Sequence, residues 1–191
     1  MVYFVGAGPG APDLITVRGQ ELLKRADIII YAGSLVNAQL LKAAPACCLI
    51  YNSAVMTLEE VVEVMVQGER EGKTIVRLHT GDPSLYGAIR EQMDRLEEAG
   101  IAFEVCPGVS SFCGAAASLQ AEYTLPGVSQ TVIITRMEGR TPVPERERLR
   151  SLAAHGSTLV LFLSTGLLKQ VREELLAGGL SPDTPCAVCY K

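Results

Sequence analysis

The chain has 191 residues, with 17 lysines and arginines against 21 aspartates and glutamates, which gives a formal net charge of −4. Hydrophobic residues make up 48% of the sequence and aromatic residues only 5%. This composition is typical of a globular protein with one large or two small domains and excludes the disordered and fibrous classes. It also argues against nucleic acid as a partner, because such surfaces rely on phosphate contacts and base stacking.

The sequence carries no sign of a membrane segment or a signal peptide. Its apolar runs, such as residues 159–163, are far shorter than the roughly 20 residues needed to cross a bilayer. The chain begins with a predicted strand and has no basic leader. We therefore expect the native start of the fold, a cytoplasmic location and no membrane partner.

Six cysteines are spread along the chain. Cys186 and Cys189 form a CxxC pair, but a zinc site needs two further ligands and no second pair has suitable spacing. Because residues 186–190 have the composition of a strand, we predict buried, reduced thiols there and no metal site.

The first half of the chain alternates short apolar runs with helical patterns, which indicates a parallel sheet with crossover helices. Thr57 and Glu60 form a capping box at one helix start, and Ile89, Met93 and Leu96 recur at helical spacing in another. The predicted strands cover residues 2–5, 27–31, 48–51, 74–78 and 101–106.

The segment 122–127 interrupts this alternation, and we place a domain boundary there. Residues 1–120 form an N-terminal α/β domain with a parallel sheet, and residues 121–191 form a C-terminal α/β domain. In the second domain we predict strands at residues 131–135, 158–163 and 186–190 and helices at 145–154 and 166–177. Because the chain ends on the last strand with nothing to cover its edge, we expect this domain to be incomplete at its C-terminus.

Three glycine- and proline-containing loops follow predicted parallel strands, at residues 6–10, 79–86 and 106–111. Open α/β sheets bind ligands at the carboxyl ends of their strands, so we expect the three loops to share one edge. The first loop lacks the GxGxxG spacing of a dinucleotide site and the lysine of a phosphate loop. Ordinary turn and helix-start chemistry is the competing interpretation, with Asp82 as an N-cap and Pro83 at the first helical position.

Two kinds of basic residue are candidates for anion binding. His79 alone is more typical of a packed histidine than of a base. Five arginines lie between residues 136 and 150, of which the last three fit a solvated helix face. Arg136 and Arg140 flank a glycine loop after a strand, so they fit carboxylate pairing equally well.

The combination of residues 5–10, 13–16 and Gly19 with residues 80–83, 86–87 and 107–111 resembles the tetrapyrrole methylase family across the whole chain. The resemblance implies two α/β domains with a cofactor cleft between them and a homodimer. It also implies S-adenosylmethionine as the cofactor and S-adenosylhomocysteine as its product.

The resemblance also implies which residues contact the cofactor. Ala11 departs from the family, whose first loop often carries an acidic residue there, and the family's last adenosine contact follows the strand matched by residues 186–190. The implied cofactor contacts are Gly8, Pro9, Thr80, Gly81, Asp82, Leu85, Ser110, Ser111 and Leu163.

Residues 31–36, 56–60 and 122–131 are similar to those of family members that methylate C11 of precorrin-4 or cobalt-precorrin-4 in cobalamin biosynthesis. The implied small-molecule partner is therefore a polycarboxylate tetrapyrrole. An electron-rich ring carbon needs alignment with the methyl donor, at about 3–3.5 Å, more than it needs an activated side chain. No catalytic residue is identified, although Asp82 and His79 are candidate bases, and we assign His79, Arg136 and Arg140 tentatively to substrate binding.

Several alternatives stay open from the sequence. Within the family, the substrate could be uroporphyrinogen III, another precorrin position, diphthine or ribosomal RNA, although residues 122–131 disfavour each of them. The chain could also be a non-catalytic α/β binding module. The sequence does not distinguish a cobalt-containing from a metal-free substrate.

Overall fold

The computed structural model describes residues 1–139 and 141–189. The chain forms two compact units, Met1–Gly114 and Ala115–Lys191. The division falls within a helix and earlier than the boundary predicted at residue 120. Its position reflects the start of that helix, where an added Cβ at Gly114 would lie 2.6 Å from Cβ of Pro9 in the first loop.

The first unit is built on a five-stranded sheet in the order β3-β2-β4-β1-β5, in which every pairing is parallel. The five strands predicted from the sequence are confirmed, with ends that differ by one or two residues. A parallel neighbour requires a crossover connection, which explains why helices separate the strands in the sequence. The strands are β1 (Val2–Gly6), β2 (Ile28–Tyr31), β3 (Leu49–Asn52), β4 (Ile75–His79) and β5 (Phe103–Cys106).

The helices of the first unit are α1 (Val17–Lys24), α2 (Leu58–Arg70) and α3 (Arg90–Glu98). The predicted capping box of α2 is present: the Glu60 amide donates to Oγ1 of Thr57 at 3.2 Å, and the Thr57 amide donates to Oε2 of Glu60 at 2.7 Å. These bonds satisfy donors that the first turn would otherwise leave unpaired.

Two hydrophobic cores cover the two faces of the sheet, because successive strand residues point to opposite sides. On one face Val5 and Leu78 pack with Leu23 of α1. On the other face Phe4 packs in the cluster that contains Met65 of α2 and Leu96 of α3. The strands are thus buried from both sides, as their continuous apolar runs predict.

The second unit contains a two-stranded parallel sheet of β6 (Val132–Arg136) and β7 (Thr158–Phe162). The helix α4 (Ser111–Leu119) leads into it, and α5 (Leu149–Ala153) and α6 (Leu168–Ala177) follow the two strands. The predicted helix over residues 145–154 is shorter than expected, because a separate 3₁₀ turn at Glu145–Glu147 and an extended Arg148 precede α5.

The strand predicted at residues 186–190 is wrong for residues 186–189, which adopt no regular structure, and residue 190 lies outside the described residues. A strand needs a hydrogen-bonded neighbour, and residues 186–189 pair with none of the described strands. Cys186 and Cys189 are exposed, so the prediction of buried thiols is also wrong.

None of the helices over residues 1–139 and 141–189 is long and apolar enough to span a membrane. Within the same residues, histidine, cysteine and acidic side chains form no group of three or more suited to a metal ion.

Candidate functional site

The loops that follow β1, β4 and β5 meet at one edge of the first unit's sheet, as the parallel topology requires. The Ala7 amide donates to the His79 carbonyl at 2.7 Å. Gly8 and Gly81 form a bridge in which the Gly8 amide donates at 3.2 Å and the Gly81 amide at 2.9 Å to the other's carbonyl. These backbone bonds hold the first loop against the loop after β4.

Glycines allow the three loops to approach each other this closely. A Cβ added at Gly6 would lie 2.5 Å from both the Gly108 Cα and the Gly81 carbonyl oxygen, a separation that real Cβ atoms do not show. Gly8 and Gly81 also have positive φ values of 80° and 60°, which side chains disfavour. The edge is therefore lined by backbone, whose amides and carbonyls are available to a ligand.

Asp82 connects the loop after β4 to the loop after β5. Its Oδ2 accepts a bond from the Gly108 amide at 2.8 Å, and its Oδ1 accepts bonds from the Ser84 amide at 2.8 Å and from the Ser84 hydroxyl. Burial alone would raise the pKa of Asp82, but these hydrogen bonds outweigh it and hold the pKa below its ordinary value of 3.8. The carboxylate is ionised and engaged at both oxygens.

His79 and Thr80 each bring a buried polar atom to this region. In the described part of the chain, Nε2 of His79 and Oγ1 of Thr80 have no hydrogen-bond partner. The His79 ring is only 4% exposed and stacks at 6.1 Å on Phe4. Burial, followed by the charge of Arg77, lowers the pKa of His79 to about 3. The imidazole is thus neutral, so it neither attracts carboxylates by charge nor serves as a base at neutral pH.

The segment after Asp82 has an unusual backbone. Leu85 is half-buried, while Tyr86 and Ala88 have φ values of 57° and 49°, in the left-handed region that favours glycine. Non-glycine residues in this region store strain of about 1–3 kcal/mol and concentrate at functional loops. The sequence motif pointed to this loop but gave no signal for the strain.

The third loop leads into α4. Ser110 is 6% exposed, and its carbonyl accepts amides of Cys113 and Gly114 at 3.0 and 3.2 Å. Ser111, the first residue of α4, is exposed. The Ser111 amide lies 3.3 Å from the position of a Cβ at Gly81. The structure therefore brings the predicted residues of the first unit to one edge: Gly8, Pro9, Thr80, Gly81, Asp82, Ser110 and Ser111.

In the second unit, Leu163 directly follows β7, with a φ of 54° and 70% of its side chain exposed. An exposed leucine in this conformation is both strained and apolar, which is typical of a ligand contact. The next residue, Ser164, is buried: its hydroxyl donates to the Phe162 carbonyl at 2.6 Å and accepts the Met137 amide at 2.8 Å. Ser164 thus joins the loops after β6 and β7, a role that nothing in the sequence indicated.

The arginines predicted for carboxylate binding differ in what the structure describes. Arg136 donates from Nη1 to the Thr141 carbonyl and from Nη2 to the Pro142 carbonyl, both at 3.0 Å, so its guanidinium holds its own loop. Arg140 lies outside the described residues. Farther along the chain, Arg150 forms an exposed ion pair with Glu174 at 2.7 Å, as the interpretation of a solvated face predicts.

The whole chain, residues 1–191, matches the family model of the tetrapyrrole (corrin/porphyrin) methylases. The chain belongs to the tetrapyrrole methylase family. Among its curated relatives is a cobalt-precorrin-4 C(11)-methyltransferase of Methanocaldococcus jannaschii, 57% identical over 99% of this chain and 73% of the relative. A precorrin-4 C(11)-methyltransferase of Mycobacterium tuberculosis is 47% identical over 98% of this chain and 75% of the relative.

Solved structures of tetrapyrrole methylases have the same fold. A cobalamin biosynthetic enzyme, cobalt precorrin-4 methyltransferase, superposes with a TM-score of 0.92 at 51% identity, covering 94% of this chain and 75% of that one. A uroporphyrin-III C-methyl transferase from Thermus thermophilus, complexed with S-adenosyl homocysteine, has a TM-score of 0.76 at 30% identity, covering 95% and 73% of the two chains. The α/β fold with a parallel sheet, predicted from the sequence, is thereby confirmed.

The edge of this tetrapyrrole methylase fits a cofactor with polar groups and a compact sulfonium. The buried hydroxyl of Thr80 has no partner in the described chain, and such a group is costly unless a ligand satisfies it. Side chains at Gly6, Gly81 and Gly108 would fill the space where the three loops approach. An ionised Asp82 adds negative charge that a cationic cofactor would favour.

Proposed function

We propose that this chain is an S-adenosylmethionine-dependent C-methyltransferase that acts on C11 of precorrin-4 or cobalt-precorrin-4 in cobalamin biosynthesis. The observation that carries the proposal is the 57% identity to the cobalt-precorrin-4 C(11)-methyltransferase of M. jannaschii over 99% of the chain. The TM-score of 0.92 against cobalt precorrin-4 methyltransferase supports it independently of the sequence pattern.

S-adenosylmethionine, when bound, supplies a methyl group on a positively charged sulfur. We propose that the backbone of Gly8, Pro9 and Gly81 holds it and that the Thr80 hydroxyl finds its missing partner there. Ser110 and Ser111 contribute polar groups at the start of α4, and Leu85 and Leu163 contribute apolar contacts. Asp82 acts mainly through Gly108 and Ser84, because it keeps the loops in place.

Alignment is the main task of the protein in this reaction. Carbon is the nucleophile, and the electron-rich ring of the substrate provides the electron pair, so no side chain has to be activated. Neither sequence-predicted base has the properties of one: His79 is neutral with a pKa of about 3, and both oxygens of Asp82 already accept hydrogen bonds. The rigid backbone contacts among the three loops instead provide the fixed geometry on which alignment depends.

The substrate carries several carboxylates, so an acidic chain must bind it through local positive charge. We retain Arg136 and Arg140 as proposed carboxylate contacts. The bonds from Arg136 to the carbonyls of Thr141 and Pro142 support a second role for it, in which it shapes the loop that carries Arg140. A neutral His79 could contribute only a hydrogen bond.

We also propose that the chain acts in the cytoplasm as a homodimer. The family resemblance supports the dimer. Equilibrium sedimentation of the purified protein tests it directly: a molecular mass of twice the 20.4 kDa of one chain is expected, and a monomer at micromolar concentration would contradict it.

Calorimetry with S-adenosylhomocysteine, followed by mass spectrometry of an anaerobic reaction with the tetrapyrrole, tests the proposal. We expect saturable cofactor binding and a substrate mass gain of one methyl group. Thr80→Val, which removes only the unpartnered hydroxyl, should weaken binding about tenfold. Thr74→Val is the matched control at the opposite end of the same strand region. Absence of cofactor binding by the unmodified protein would favour a non-catalytic binding module.

A further inference from the structure

Arg77 is a buried cation without an acidic partner. It lies in β4, with 7% of its side chain exposed, on the sheet face covered by α2 and α3. Its Nε donates to Oε1 of Gln92 at 2.9 Å, and its Nη1 donates to the Ile30 carbonyl at 3.2 Å. Both acceptors are neutral, and among the described residues no carboxylate pairs with the guanidinium.

An uncompensated buried charge of this kind is costly. Taking an ion out of water costs several kcal/mol unless an opposite charge and hydrogen bonds replace the lost hydration. Burial lowers the pKa of Arg77 to about 10, which still leaves the guanidinium charged at neutral pH. Its Nη2 group makes no hydrogen bond to the described part of the chain. The site therefore lacks an anion.

A cavity of about 150 Å³ adjoins Arg77. Gln92, Ser53, Met56 and Leu58 are among its lining residues, and none of the lining residues is acidic. This volume is several times the roughly 30 Å³ that one water molecule occupies in the liquid, so a carboxylate can enter. Leu58 is the first residue of α2, where amides have no acceptor within the helix and the helix dipole favours negative charge.

The nearby acidic side chains do not fill this role. Glu60 is exposed, and its Oε2 turns back to accept the Thr57 amide in the capping box. Glu59 is also exposed and does not line the cavity. The cavity opens near the end of β3, because Ser53 directly follows that strand. It thus lies toward the same carboxyl edge of the sheet as Thr80 and Asp82.

We propose that this cavity is a carboxylate-binding subsite, with Arg77 as its cation and the start of α2 as its second donor. Arginine suits a carboxylate because its planar fork offers parallel hydrogen bonds. The carboxylate comes from an acidic side chain of the tetrapyrrole substrate or from a free small carboxylate. The first source rests on the proposed function, and the second does not.

Variants at Met56 test the subsite without removing Arg77, whose bonds to Gln92 and Ile30 make its replacement a risk to folding. Met56→Glu places a carboxylate in the cavity, and Met56→Gln is its neutral match. In the first experiment, thermal unfolding is followed in sodium acetate against sodium fluoride of equal ionic strength. Acetate should raise the Tm of the unmodified protein and Met56→Gln by about 2–4 °C at tenfold its dissociation constant. Met56→Glu should show no such rise.

The second experiment measures the KM for the tetrapyrrole and the Kd for S-adenosylhomocysteine in both variants. If a substrate carboxylate occupies the subsite, Met56→Glu should have a KM about tenfold higher than Met56→Gln, with an unchanged Kd. Equal KM values together with the acetate effect would assign the subsite to a free carboxylate. An equal acetate response in Met56→Glu and Met56→Gln, or none in the unmodified protein, would overturn the proposal. Lack of any methyl transfer would overturn the proposed function, while the acetate experiment would still decide the subsite.

Discussion

The Asp82 carboxylate accepts a hydrogen bond from the Gly108 amide at 2.8 Å and so joins the loops that follow β4 and β5. Its other oxygen is held by Ser84. Two loops that are far apart in sequence are thereby fixed to each other beside the backbone of Gly6 and Gly81. The function proposed for the chain depends on this fixed edge more than on any single reactive side chain.

Replacing Asp82 with Asn should destabilise the protein, because an amide nitrogen then faces one of the backbone donors. We expect a loss of about 1 kcal/mol in the free energy of unfolding at pH 7, limited by the partial exposure of the group. The depressed pKa means that Asp82 stabilises the fold above pH 3.8 and that this stabilisation disappears as pH falls through the lower folded pKa. Urea unfolding at pH 7 and at pH 3 measures both effects, with the exposed Asp183→Asn as control. Equal losses in the two variants would contradict the clamp.

Replacing Gly6 with Ala should destabilise the first unit by about 1–3 kcal/mol or more, because the new methyl group would overlap the Gly108 and Gly81 backbones. Gly166→Ala is the matched control, since nothing lies within 4 Å of a Cβ at that position. Chemical unfolding of both variants gives the comparison. A Gly6→Ala protein as stable as Gly166→Ala would show that the loops do not pack as described.

The stability of the protein should depend on pH through His79. Unfolded His79 takes up a proton near pH 6.5, whereas the folded residue does so only near 3, so the unfolded state binds more protons in between. Stability is therefore lost as pH falls, by about 2 kcal/mol between pH 7 and pH 5. Substitution of His79 with Gln should remove most of this slope, and the exposed His155→Gln should keep it. The free energy of unfolding measured across this range decides, and parallel slopes in all three proteins would refute the buried neutral imidazole.

Leu163 should show a conflict between stability and binding. Leu163→Gly relieves a φ of 54° and is expected to stabilise the fold by about 1 kcal/mol. The same change should weaken binding of S-adenosylhomocysteine, because the exposed side chain is lost. Leu168→Gly, at a φ of −55° in the first turn of α6, should instead destabilise the fold. Thermal unfolding and calorimetry provide the two readouts, and unchanged cofactor affinity in Leu163→Gly would remove Leu163 from the binding surface.

Much of this fold follows from local pattern. Apolar runs such as that of β2 predict buried parallel strands, and the Thr57 and Glu60 pair predicts the start of α2. Once the strands are parallel, their following loops must share an edge, which is why the sequence also located most of the candidate site. Pairing was harder to predict: residues 186–189 have strand composition, but composition does not supply a neighbouring strand.

The features that the sequence did not predict depend on tertiary packing. No local pattern distinguishes a leucine at positive φ from an ordinary one, and Leu163 is held there by its surroundings. Arg77 interrupts a buried strand, and only the positions of Gln92 and Ile30 explain how it is accommodated. Arg136 had the residue type for substrate binding, yet its nearest acceptors are carbonyls of its own loop.

The position of the transferred methyl group tests the central claim most directly. The protein is incubated anaerobically with S-adenosylmethionine labelled with ¹³C in its methyl group, in parallel with precorrin-4 and with cobalt-precorrin-4, and the product is examined by NMR. A single labelled methyl on C11 of at least one of the two substrates is the predicted result. A label on another ring carbon, or none on either substrate despite cofactor binding, would contradict it.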